Sequence, residues 1–175
     1  MKKLILLFLS ISLLIACSDD QDGVTDISND DIVGTWNITK SEFSGTATAT
    51  VQGIPVTGSA KGTGKDYDLA LTFKENPNEF SFEGTFTSVV EVSIQGQTQI
   101  VERELNSLGE VTVGTWKIEN NQLFFENGGV TSEALPIESI SSNKIVVKID
   151  IDQTFTSPQD IPVTVKGIGT VILEK

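Results

Sequence analysis

Few side chains in this 175-residue chain could do chemistry. It has no histidine, and its single cysteine is Cys17. His-dependent triads, thiol dyads and His/Cys zinc sites are therefore excluded, because each needs groups the chain lacks. Serine with lysine remains, but no Ser-x-x-Lys falls in a suitable setting. Paired carboxylates can cleave glycosides. Here Glu83, Glu91, Asp150 and Asp152 occupy the solvent-facing positions of alternating segments, so a solvated surface is the simpler reading. Asp20 and Asp22 with Gly23 supply a fragment of a calcium loop, but calcium takes about six to eight oxygens and no closing Glu is correctly spaced. The expectation is a protein that is not an enzyme, with no catalytic residue, metal or cofactor.

One further candidate is Cys17, which follows the N-terminal segment. Lys2 and Lys3 precede an apolar run, Leu4 to Ile15, broken only by Ser10 and Ser12. This is the layout of a secretory signal peptide, too short for a spanning helix. Leu14-Ile15-Ala16-Cys17 resembles the lipobox of bacterial lipoproteins, in which the Cys thiol is lipidated and becomes the new N-terminus. The alternative is an ordinary signal peptide with a chance Cys at the cut. One acyl chain holds a bilayer marginally, whereas two or more, palmitate among them, hold it stably. Ser18-Asp19-Asp20-Gln21-Asp22-Gly23 reads as a solvated acidic tether. It also resembles the export signal that carries Bacteroidota lipoproteins to the outer face of the outer membrane. The expected division is a signal peptide over 1–16, a tether over 17–27 and one domain over 28–175. The expected place is the cell envelope, lipid-anchored in the outer membrane and surface-exposed.

The net charge of −12 becomes −14 once the two leader lysines are removed. That balance argues against nucleic acid, which needs a basic stripe. It also argues against lying flat on an anionic bilayer. With a modified Cys17, no thiol remains for a disulfide. A monomer is expected.

Beyond the tether, Thr25 to Ile32 suits one helical turn, capped by Ser28 or Asn29 with Asp30 and Asp31 favourable at its start. The rest alternates with period two and is punctuated by Gly, Asn and Pro. The two tryptophans fall in a repeated phrase, Val33-Gly34-Thr35-Trp36-Asn37-Ile38 and Val113-Gly114-Thr115-Trp116-Lys117-Ile118. Their flanks differ, so an internal duplication is not supported. A small-residue hairpin over 44–64 is predicted to turn near Gln52-Gly53 and to be held loosely, or to be a flexible extension. Phe80 to Ile94 is the strongest alternating run. Lys144–Phe155 and Val163–Glu174 close the chain, with Ile145, Val147, Ile149 and Ile151 on one face of the first and Val163, Val165, Val171 and Leu173 on one face of the second. Eight to ten strands joined by short turns predict an all-β, up-and-down antiparallel barrel, with a β-sandwich as the alternative. A barrel requires the first and last strands to pair.

An acidic turn before Gly34-Thr35-Trp36 resembles the lipocalin opening, in which a short 3₁₀ turn and a G-x-W motif shut the base of a barrel. Gly114 to Leu123 and Phe73 to Phe82 resemble segments of lipocalin-like lipoproteins of Bacteroidota. The resemblance implies a barrel that can hold a small hydrophobic molecule. Typical lipocalins stack an Arg of the last strand on the first-strand Trp. Here the single Arg is Arg103, and the last strand offers Lys166 and Lys175. The inward set is Trp36, Tyr67, Leu69, Phe73, Phe80, Phe82, Phe86, Trp116, Phe125 and Ile149. These residues either pack the barrel solid or line a dry cup with Tyr67 as its polar handle. The two functions that follow are a tethered carrier of a small hydrophobic ligand, or a surface module that contacts a protein or glycan through rim loops and the 44–64 hairpin.

Overall fold

A computed structural model of the chain describes residues 26–108, 111–157 and 160–175. The leader, Cys17 and most of the acidic tether lie outside the described residues. The chain enters through one α-helical turn, α1 (Asn29–Ile32), in place of the 3₁₀ turn. Its start is fixed by Asp31, whose carboxylate accepts from the Ser28 N–H at 2.9 Å and the Ser28 hydroxyl at 2.7 Å. These hydrogen bonds hold the Asp31 carboxyl below its ordinary range.

Twelve strands follow: β1 (Gly34–Val51), β2 (Ile54–Lys65), β3 (Ala70–Lys74), β4 (Glu79–Glu83), β5 (Phe86–Ile94), β6 (Gln97–Leu105), β7 (Val113–Glu119), β8 (Gln122–Asn127), β9 (Val130–Thr131), β10 (Leu135–Ser141), β11 (Lys144–Thr156) and β12 (Pro162–Glu174). Eight of them close a barrel in the order β1-β3-β4-β7-β8-β10-β11-β12, with β12 returning to pair with β1. Every step in that circuit is antiparallel and follows chain order, so the barrel is an up-and-down meander. The sandwich alternative is thereby excluded.

The excursion from this meander depends on the length of β1. Its first four residues, Gly34 to Asn37, pair with β3, whereas Glu42 to Val51 pair with β2. Between the two regions the register against β12 slips at Thr39, between Ile38 and Lys40. The bulge exchanges parity. Trp36 and Ile38 face inward before it, and Ser41, Phe43, Gly45 and Ala47 face inward after it, opposite Val171, Gly169, Gly167 and Val165. β2 then pairs with β5, and β5 with β6. At this end the barrel wall flares into an open six-strand sheet, β11-β12-β1-β2-β5-β6.

One expectation is decided here and one is corrected. The 44–64 segment is the regular hairpin, turning at Gln52-Gly53, and not the flexible extension. Ten residues of β1 pair with β2, and the hairpin is flanked by β12 on one side and β5 on the other. The Phe80–Ile94 run is two strands rather than one. At Gly84 the backbone takes φ +90°, and a Cβ there would run into the Asp68 carbonyl. β4 therefore stays in the barrel while β5 leaves to join β2.

Two apolar cores result. The larger fills the barrel around Trp36, Leu71, Phe73, Phe125, Val147 and Leu173. The smaller lies on the inner face of the flare around Ala47, Ala60, Val92, Val163 and Val165. Small residues, Ala47 and Ala60, lie in its bed. At Gly45, Gly58 and Gly167 a Cβ would strike the backbone of the neighbouring strand.

Candidate functional site

The candidate site is the barrel interior, and its closed end is built first. Ile32 of α1 is fully buried and plugs the base. The Trp36 indole N–H donates to the Ile32 carbonyl at 2.6 Å, tying the plug to β1. The Lys175 ammonium lies 4.3 Å from the centre of the Trp36 ring. It also donates to the Val33 carbonyl at 3.4 Å. Gly34 leaves it room, since a Cβ there would sit 3.2 Å from the Lys175 Cε, and the backbone φ of +130° itself favours glycine. The missing arginine is thus replaced by the last lysine of the chain, which gives the same cation–π closure with a compact charge.

The second tryptophan is fixed in the same manner, its indole N–H donating to the Lys74 carbonyl at 2.9 Å. The two repeated phrases bracket one hairpin. Gly34 faces Phe73, Phe73 faces Phe80, and Phe80 faces Gly114, across β1, β3, β4 and β7. A Cβ on Gly114 would meet the Phe80 ring at 3.1 Å and clash with the Glu126 carbonyl. The glycine of the first phrase thus leaves room for the Lys175 side chain, and that of the second for the Phe80 ring and the Glu126 carbonyl.

Those rings fill the interior. Phe125 lies 4.5 Å from Phe80, 5.6 Å from Phe82 and 6.1 Å from Phe73, centre to centre. Trp116 meets Phe73 edge-on at 5.4 Å. All ten residues predicted to face inward belong to or pack against this one core. Eight of them, Trp36, Leu69, Phe73, Phe80, Phe82, Phe86, Trp116 and Phe125, are buried. Tyr67 and Ile149 are half-buried, toward the flare. Tyr67 stacks on Phe86 at 5.7 Å, and its hydroxyl oxygen accepts the Ser41 N–H at 2.8 Å. The predicted polar handle is therefore engaged in pinning β1 just beyond its bulge.

Reasoning from residue types named Lys175 as a cation of the last strand without giving it a place in the floor, and missed Ile32 there. A lysine as the last residue after an alternating strand was the available signal for the first. Ile32, the apolar residue closing an acidic turn, was the signal for the second. Two depressions mark the outer wall. One, of about 400 Å³, lies against Thr72, Lys74, Glu79, Ser81, Val113 and Thr115. The other, of about 480 Å³, lies against Glu42, Ser44, Lys61, Thr63, Lys148, Ile168 and Thr170. Among the described residues, no group of His, Cys, Asp and Glu could hold a metal ion.

The family of lipocalin-like domains has a model that matches residues 32–147, more than half of the chain. The chain belongs to that family. No curated protein and no solved structure matches it. As in the sequence-based expectation, the chain closes an up-and-down meander, and the matched span takes in the flare strands β2, β5 and β6 as well as the barrel strands from β1 to β10.

Proposed function

We propose that this chain is a lipid-anchored lipoprotein of the outer membrane, of the kind Bacteroidota expose at the surface. In this reading its lipocalin-like barrel is a filled, non-catalytic scaffold that meets a protein or glycan through its outer wall and rim. One observation carries the scaffold reading: the Phe73-Phe80-Phe82-Trp116-Phe125 cluster occupies the barrel bore, ring against ring. An eight-stranded barrel is just wide enough either to be filled by side chains or to hold one small ligand. Here side chains take the space. The larger outer depression, with the exposed Ile168 among lysine, glutamate and hydroxyl groups, suits a polar contact with an apolar centre. The anchor reading rests on Leu14-Ile15-Ala16-Cys17 and the acidic run after it.

A second reading, uptake of a small hydrophobic ligand, is favoured by the family and by the half-buried Phe43, Ile149, Ile151 and Phe155 where the core opens into the flare. Native mass spectrometry of the purified protein separates the two. A bare mass supports the filled scaffold, and a retained lipid or uptake of an added fatty acid overturns it. Metabolic labelling with palmitate tests the anchor. Label is expected in the native protein and absent from Cys17→Ala, and equal label in both refutes acylation at Cys17.

A further inference from the structure

Closing a barrel removes the edges of its sheet, but the flare restores two among the described residues, along β6 and along β11 beyond Val147. Among the described residues β6 pairs with a strand on one side only, β5, over nine residues from Gln97 to Leu105. Edges of this kind are templates for another strand. Ile100 is 64% exposed on the outer face of this edge. The charges of β6 are confined to its second half, Glu102, Arg103 and Glu104, and Glu102 is held by Lys65 at 2.8 Å. This hydrogen bond and ion pair raise the Lys65 ammonium above its ordinary range.

We propose that β6 pairs with β6 of a second copy of this chain, antiparallel and centred on Val101. This differs from the monomer expected from the sequence. The reasoning starts from symmetry. Two antiparallel edges related by a two-fold axis must have that axis perpendicular to the sheet, so the inner face of one copy continues the inner face of the other. Residues facing each other across the new ladder must then share parity, which leaves a short series of registers. Centring on Glu102 sets Glu102 against Glu102. Centring on Arg103 sets Arg103 against Arg103 and Glu102 against Glu104. Like charges directly opposed across a ladder are destabilising. Centring on Val101 opposes Arg103 to Gln99, Glu102 to Ile100 and Glu104 to Thr98. Every charge meets a neutral residue, and all nine residues overlap. That register also brings the two copies of Ile100 into diagonal contact and covers them. The charges that guard this edge against slipped pairings thus leave the fully overlapped one open.

Sedimentation of the full chain reads the proposal directly, with near-ultraviolet fluorescence of the buried tryptophans as a check on folding. The native protein should show a dimer. Ile100→Glu sets Glu against Glu102 of the other copy and should abolish that dimer. Ile100→Lys sets a lysine against the same Glu102 and should retain it. In a Cys17→Ser background that leaves no other thiol, Val101→Cys should form an interchain disulfide on mild oxidation. Directly opposed residues have Cα atoms about 4.5–5.5 Å apart, within disulfide reach. Arg103→Cys, facing Gln99, should remain reduced. A chain that sediments as a monomer at every concentration overturns the proposal. So does a dimer indifferent to Ile100→Glu, or equal cross-linking through positions 101 and 103.

Discussion

Lys175 and Trp36 divide the work of the floor between a charge and a ring. Lys175→Ala removes the cation above the indole and should cost about 0.5–1 kcal/mol, the range for an exposed cation–π contact. Lys175→Arg should restore it, and urea denaturation distinguishes the two variants. Trp36→Phe keeps a ring but leaves the Ile32 carbonyl without its donor. The expected loss is about 1–3 kcal/mol, the cost of an unsatisfied buried polar group. The depressed Asp31 carboxyl gives α1 a dependence on pH. A carboxyl lowered on folding adds stability that is present above its unfolded value of 3.8 and lost as pH falls through the folded one. Acid titration followed by NMR should therefore show the Ser28 amide signal shifting only below the ordinary carboxylate range. A midpoint at the value of an unperturbed Asp contradicts the cap. Trp36 and Gly34 were legible as a floor because their types and spacing are local. Lys175 was not, because its side chain reaches the indole from 139 positions away, across the seam where β12 meets β1.

At the scale of elements, alternation revealed which residues face inward but not which strands lie side by side. The faces read for β11 and β12 match the structure, with Ile145, Val147, Val165, Val171 and Leu173 all inward. The 44–64 hairpin was read as loose because Thr, Ala and Gly have little to bury. That argument considers the hairpin alone, whereas its stability comes from β12 and β5 beside it, and those pairings span more than a hundred residues in one case. Ala47 is fully buried in the bed of the flare core. Ala47→Leu should overpack that bed and destabilise the fold by about 1–3 kcal/mol, whereas Thr48→Leu on the solvent face should change stability little. Equal effects at the two positions would show the hairpin to be peripheral. The single run from Phe80 to Ile94 has an analogous cause: alternation passes through Gly84 unbroken, so the period cannot register the turn that the positive φ imposes.

The whole molecule is organised by non-local pairing. β1 meets β12, β2 and β3 at once, so neither wall nor flare is complete until residues from both ends of the chain have met. Topologies dominated by such contacts fold on the scale of about milliseconds to seconds. Stopped-flow tryptophan fluorescence should find refolding in that range, and microsecond recovery would indicate that the sheet forms from local hairpins alone. The length of β1 has one more consequence. α1 and the start of β1 lie at the closed end, as do the β3–β4, β7–β8 and β10–β11 turns, while Gln52-Gly53 turns at the other. Eighteen residues at about 3.3 Å each give β1 a contour of roughly 60 Å. The strand therefore acts as a mast. A surface gripping the chain by its N-terminal side would find the sealed base nearest to it. The flare and its open edges would stand clear, at a height where neighbouring masts could touch.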